Sequence, residues 1–157
     1  MRKKFIHWLF EHSQKIYTRF KRKKAWGITR QELLKYNKDS FGFQLGNFLQ
    51  KNGFELLPKV ERHDAYHLLT GYGTKVEDEI ALQYLCFGNG KRSPYLLGVI
   101  IVGTLILPDY MKYYVKSYKI GKNCNQFYHF NYKNLLNYSL TELRETIFSK
   151  QQIINII

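Results

Sequence analysis

Helix start and stop signals divide this chain into helix-sized segments, and no stretch alternates apolar and polar residues long enough to make a strand. Thr29 and Glu32 have the spacing of a capping box, in which each side chain satisfies the other residue's backbone N–H. Asp39-Ser40 caps a segment that runs to about Lys51 and closes at Gly53. A helix over residues 60–69 stops at Gly71. Thr74 and Glu77 repeat the capping-box spacing and open a helix through Leu85, which Gly88-Asn89-Gly90 ends. Ser93-Pro94 supplies a cap and a proline at the first helical position. The apolar helix that follows runs to Leu107, where Pro108 ends it. Residues 109–120 continue as a helix, 131–138 read as short and mixed, and Leu140, Leu143 and Ile147 mark a last helix. The expectation is an all-α bundle of about seven helices in one domain. Within it, residues 1–38 form a basic amphipathic segment leading into a helical domain over 39–157.

Composition narrows the function. Of 157 residues, 45% are hydrophobic and 17% aromatic, too many for a disordered chain. The 25 Lys and Arg against 12 Asp and Glu leave a net charge of +13, which favours an anionic partner. Only two cysteines occur, Cys86 and Cys124, in no metal spacing. That argues against a disulfide scaffold, a zinc ribbon or a redox motif, and it suits a reducing cytoplasm. No helix-turn-helix, zinc finger or RNP signature accompanies the charge, so nucleic acid is not the expected partner.

The N-terminus points to a membrane surface. Phe5, Leu9, Ile16 and Phe20 recur at helical spacing, and residues 1–24 carry nine basic residues and one acid. Such a face is either simply solvated or lies on anionic lipid, with Arg2, Lys3, Lys4, Lys15 and Arg19 at the surface and Trp8 at the headgroup boundary. The apolar run after Met1-Arg2-Lys3-Lys4 is interrupted by His7 and closed by Glu11, so it does not read as a secretion signal. The longest apolar run, residues 95–107, has thirteen residues, short of the ~20 that span a bilayer. The expected location is cytoplasmic and peripheral, on the inner face of a membrane.

The stretch that carries chemistry is Arg62-His63-Asp64-Ala65-Tyr66-His67-Leu68-Leu69-Thr70-Gly71. Each helical residue advances about 100°, so with His63 at zero, Asp64 lies at about 100° and His67 at about 40°, all on one face. Two imidazoles at i and i+4 reach one ion in metalloprotease helices, and borderline divalent metals accept imidazole and carboxylate together. Glu79 follows His67 after eleven residues, in the first turns of the next helix. An antiparallel helix pair brings it back over the His63/His67 face. The same residues also suit solvated or packing histidines and acids placed only for the helix dipole. An HD-type phosphohydrolase needs another upstream His and a downstream Asp, and Asp109 is the only Asp after Asp78.

The pattern H-D-x-x-H, eleven residues, then E resembles the metal-binding signature of the Coq4-like proteins of coenzyme Q (ubiquinone) biosynthesis. Ser40-Phe41-Gly42 with Phe48-Leu49 and Gly53 resembles that family's upstream segment. His67-Leu68-Leu69-Thr70-Gly71 with Thr74 resembles its H-x-L-T-G-x-x-T, and Leu140-Thr141-Glu142-Leu143-Arg144 its closing L-x-x-x-R. The resemblance covers residues 39–148. It implies an all-α protein that attaches peripherally to a membrane, joins other quinone-biosynthesis proteins and acts on a prenylated quinone precursor. The implied reaction replaces the precursor's C1 carboxyl with a hydroxyl, an oxidative decarboxylation; the alternative is a non-catalytic prenyl-lipid-binding scaffold that organises such a complex. Carried over by position, His63, Asp64, His67 and Glu79 are the ligands of one divalent metal, zinc first, with iron, manganese or cobalt also suited to the set. Arg62 and Tyr66 are near enough to support them.

The apolar segment over residues 93–108 reads as a core helix, apolar all round. With the resemblance, it also reads as the lining of a channel for an isoprenoid tail, through Gly98, Val99, Ile101, Val102 and Leu105.

Overall fold

The computed structural model describes residues 1–20 and 24–156, with the backbone alone at 7, 11, 14, 15, 17, 18, 20 and 154–156. It is all-α: nine α-helices and two short 3-10 turns follow one another among the described residues, with no strand beyond a single bridge. The helices are α1 (Arg2–Phe20), α2 (Arg30–Leu33), α3 (Phe41–Asn52), α4 (Glu61–Thr70), α5 (Val76–Gly88), α6 (Pro94–Ile106), α7 (Met111–Asn123), α8 (Leu140–Ile147) and α9 (Lys150–Ile156). The count exceeds seven because the capping box at Thr29 yields a one-turn helix of its own and α9 follows the expected last helix.

The local signals work where their partners are local. The Thr29 side chain accepts from the Glu32 N–H while the Glu32 carboxylate accepts from the Thr29 N–H at 2.7 Å. Ser40, rather than Asp39, caps α3, and Gly53 ends it at φ 68°. Gly71 ends α4 at φ 71°, and Ser93 caps α6 ahead of Pro94. The second capping box does not form: α5 begins at Val76, with Lys75 at the cap and no side-chain cap bond. The Glu77 carboxylate is engaged elsewhere, by the Lys3 ammonium at 2.8 Å.

Packing separates the chain into two units, each discontinuous in sequence. One is built from Met1–Phe20 with Tyr72–His129, the other from Lys21–Gly71 with Phe130–Ile157.

In the first unit α5 and α7 pack against each other along their length, with α1 and α6 on α5. Close approach depends on glycine: a Cβ at Gly88 would run into the Tyr118 carbonyl, and one at Gly121 into that of Leu85. Ile6, Ile80, Leu82, Leu85, Cys86, Leu96 and Tyr114 are fully buried. Each large apolar side chain buried this way contributes about 1.5–3 kcal/mol. Asn89 closes the end of α5. Its amide nitrogen donates to the carbonyls of Gly121 and Asn125 and to Cys124 Sγ, and its oxygen accepts from the N–H groups of Phe127 and Tyr128.

In the second unit α3 packs on α2 and α4, and α4 on α8. Phe41, Leu45, Leu49, Ala65, Tyr66, Leu69 and Tyr132 fill its interior. Ser40 and Ser139 form the antiparallel bridge, supported by Phe41 N–H donating to the Tyr138 carbonyl at 2.7 Å. The starts of α3 and α8, each capped by its serine, are thereby tied together.

Candidate metal centre

Helix α4 carries the histidines, in the second unit. Its first turn holds His63 and Asp64 and its last turn His67. The imidazole rings meet edge to face, 4.7 Å between centroids and 76° between planes. Each ring offers a nitrogen, and these lie within 4.8 Å of each other, near the separation of at most about 4.2 Å that two bonds of about 2.0–2.1 Å to one ion would set. Asp64 Oδ1 stands 4.0 Å from His63 Nδ1, so the aspartate shares the face. The i, i+4 reading of this helix is reproduced in three dimensions.

Burial differs across the face. His67 is 2% exposed, His63 and Asp64 half-buried. The Phe48 ring, from α3, stacks on His67 at 6.0 Å with planes 15° apart. That contact limits the ring's rotation and screens one side of it from water. The chemistry of the donor set, two imidazoles with a carboxylate alongside, fits a borderline divalent cation. Tyr66 is buried and meets Tyr132 edge to face at 5.6 Å.

The ends of α4 are held from within the same unit. Trp26 N–H donates to Glu61 Oε1 at 2.8 Å, where Glu61, the first helical residue, is only 4% exposed. At the other end Arg144 donates to the Leu68 and Leu69 carbonyls. Sequence reasoning missed Glu61 altogether and took Phe48 and Arg144 only as parts of a family pattern. Nothing in their local sequence marks contacts this distant.

In the first unit Glu79 lies half-buried in the first turn of α5, beside Glu77 and Asp78. The tail-binding candidates divide between faces of α6. Ile101 and Leu105 are 58% and 76% exposed, and Gly98 is exposed with nothing near it. Val99 is 7% exposed and Val102 half-buried, so the five residues do not share one face. Gly103 leaves no room of its own, because the Ile80 side chain occupies the space beside it.

The membrane-surface candidates also diverge. Trp8 is 52% exposed and stacks with Phe5, also exposed, at 6.3 Å. Lys4 and Arg19 face solvent. Arg2 instead pairs with Asp109 at 2.7 Å, and Lys3 with Glu77 and the Tyr110 hydroxyl. Arg2, Lys3 and Lys4 line a cavity of about 440 Å³ with Leu107, Asp109 and Tyr110. The Lys15 side chain, and all of Lys21, Arg22 and Lys23, lie outside the described residues. Among the described residues no single helix is long and apolar enough to cross a membrane; α6 with residues 108–123 is so only as a pair bent by 103°.

The chain is all-helical and presents H-D-x-x-H on one helix, with a glutamate after eleven intervening residues. Residues 58–151, more than half of the chain, match the profile of coenzyme Q (ubiquinone) biosynthesis protein Coq4. The chain belongs to the Coq4 family, and this membership supports a role in coenzyme Q biosynthesis. The match takes in α4, α5 and α8 but not the upstream segment at Ser40–Gly53. The fold is shared with the crystal structure of a candidate ubiquinone biosynthesis protein from Nostoc punctiforme PCC 73102, at a TM-score of 0.63 and 18% identity. The alignment covers 75% of this chain and 66% of that one, so the chain spans about two thirds of that protein's length. No curated protein matches the chain.

Proposed function

We propose that this protein acts on a prenylated aromatic precursor in coenzyme Q biosynthesis and holds one divalent metal through His63, Asp64, His67 and Glu79. The observation that carries the reading is the His63–His67 pair, two imidazoles 4.7 Å apart on one short helix with Asp64 beside them. Glu79 is the carboxylate that the family's motif spacing assigns. Zinc is the first candidate, and iron, manganese and cobalt suit the same donors. When bound, the ion supplies Lewis acidity to the precursor's carboxylate and neighbouring phenol oxygen. The chain's own part is to hold the donors. Phe48 fixes the His67 ring, and burial of that ring keeps water from competing for it. The reaction is the replacement of the C1 carboxyl, which leaves as carbon dioxide, by a hydroxyl, a two-electron oxidation for which an external oxidant such as dioxygen takes the electrons.

The precursor is a membrane lipid, and α1 supports a peripheral position on the cytoplasmic face, with Lys4, Trp8 and Arg19 turned outward. The exposed apolar row Leu97, Ile101 and Leu105 on α6 favours a second role, gathering prenyl lipid for other quinone-biosynthesis proteins without chemistry of its own.

Elemental analysis of purified wild type beside His67→Ala and Glu79→Ala tests the site. Near-stoichiometric metal in wild type, lost in both variants, is expected. Wild type that is metal-free and cannot be reloaded with zinc, iron, manganese or cobalt overturns it. Carbon dioxide release from a prenylated hydroxybenzoate then separates the enzyme from the scaffold.

A further inference from the structure

The second metal-type ligand sits where a helix is weakest. His67 belongs to the last turn of α4, three residues from its end at Thr70. Terminal turns fray because their carbonyls have no partner further along the helix. If this turn opens, the His67 backbone leaves helical geometry while His63, one turn earlier, stays, and the i, i+4 pair is lost. Gly71 N–H satisfies the His67 carbonyl at 2.9 Å. The next two carbonyls are satisfied from 75 and 76 residues away. Arg144 Nη2 donates to the Leu68 carbonyl at 2.7 Å and Nε to the Leu69 carbonyl at 3.1 Å. The guanidinium is partly buried on α8, with no carboxylate in an ion pair with it among the described residues. Its charge is therefore directed at the negative end of the α4 dipole. A planar fork reaches two successive carbonyls; a lysine ammonium is a single point charge.

We infer that Arg144 is a positioning residue for the metal centre: it clamps the last turn of α4 and so holds His67 in register with His63. This rests on the metal reading of His63 and His67, and the test separates the two.

Cobalt(II) is titrated into wild type, Arg144→Gln, Arg144→Lys and Leu136→Ala, with affinity and visible absorption as readouts. Leu136 is buried in the same unit with no role at α4's carbonyls, so it controls for lost stability. Partners that orient a ligand typically govern affinity by about 10–100-fold, and Arg144→Gln is expected to weaken cobalt binding by that factor and alter the spectrum. Arg144→Lys recovers part of the loss, and Leu136→Ala stays within about twofold of wild type. Wild-type affinity and spectrum in Arg144→Gln overturn the inference, as does an equal loss in Leu136→Ala. If wild type itself binds no cobalt, the metal reading fails, and hydrogen exchange of the metal-free protein decides about Arg144. The Gly71 amide is then expected to exchange about tenfold faster in Arg144→Gln while the Ala65 amide is unchanged. Equal protection at Gly71 overturns the clamp.

Discussion

The Lys3 ammonium stands 2.8 Å from a Glu77 carboxylate oxygen and also donates to the Tyr110 hydroxyl at 2.7 Å. A cation read from sequence as lipid-facing is thus part of its unit's own structure. Burial alone would raise the Glu77 carboxyl, but the Lys3 hydrogen bond, a backbone N–H and the charges of Lys3 and Lys75 together outweigh it and hold the group below its ordinary range. The same bond, followed by that to Tyr110, raises Lys3.

The signs set a pH test. A depressed carboxyl stabilises the fold above its unfolded pKa, and the contribution is lost as pH falls through the folded value. A raised ammonium contributes below its unfolded pKa and loses its effect as pH rises through the folded one. Lys3→Met should therefore lower the melting temperature at neutral pH and make less difference at an acid pH below the depressed folded value, where the carboxyl is protonated. Equal destabilisation at both pH values would sink the charge account of this contact.

Asn89→Ala should be among the most damaging single changes. It removes a buried side chain that accepts from the Phe127 and Tyr128 N–H groups and donates to two carbonyls. Leaving buried backbone groups unpaired costs about 1–3 kcal/mol each, so a loss of about 3 kcal/mol or more is expected in urea unfolding. A loss under about 1 kcal/mol would mean the segment after α7 is held by other contacts.

Alkali should unfold the first unit through its tyrosines. Burial pushes the Tyr72 hydroxyl up to about 12, against its bond to Ser117. Tyr113 and Tyr114 are raised by burial first, then by the charges of Asp78 and Glu77. Unfolded tyrosine ionises near pH 10, so stability is full below about pH 10 and is lost as pH rises toward the folded values. Tyrosinate absorbance should rise cooperatively with loss of helical circular dichroism. Gradual ionisation without unfolding would show these rings to be open to solvent.

Vesicle binding tests the outward side of α1. Wild type should co-sediment with vesicles rich in phosphatidylglycerol and not with phosphatidylcholine alone. A basic residue near such a surface is worth about 1 kcal/mol, so Lys4→Gln should weaken binding about fivefold, and Trp8→Ala further. Indifference to lipid charge would leave the lipid surface without support.

The helices were legible because their punctuation acts over a few residues: Ser40 on Phe43 N–H, Ser93 on Leu96 N–H, Gly53 and Gly71 through their own left-handed backbone. The His63/His67 face was legible for the same reason, since the pitch of one helix decides it. Thr74 and Glu77 show the limit, because a correct local spacing lost its acid to Lys3, 74 residues away. The sequence by itself determined that the chain is helical, where most helices begin and end, and that two histidines and an aspartate share a face. Only the tertiary structure decided that Phe48 stacks on His67, that Arg144 clamps the turn carrying it, and that residues 1–20 pack with 72–129. Those pairings join segments far apart in the chain, and long-range contacts are selected by shape and burial across the whole fold, which leave no periodic mark on the sequence around either partner.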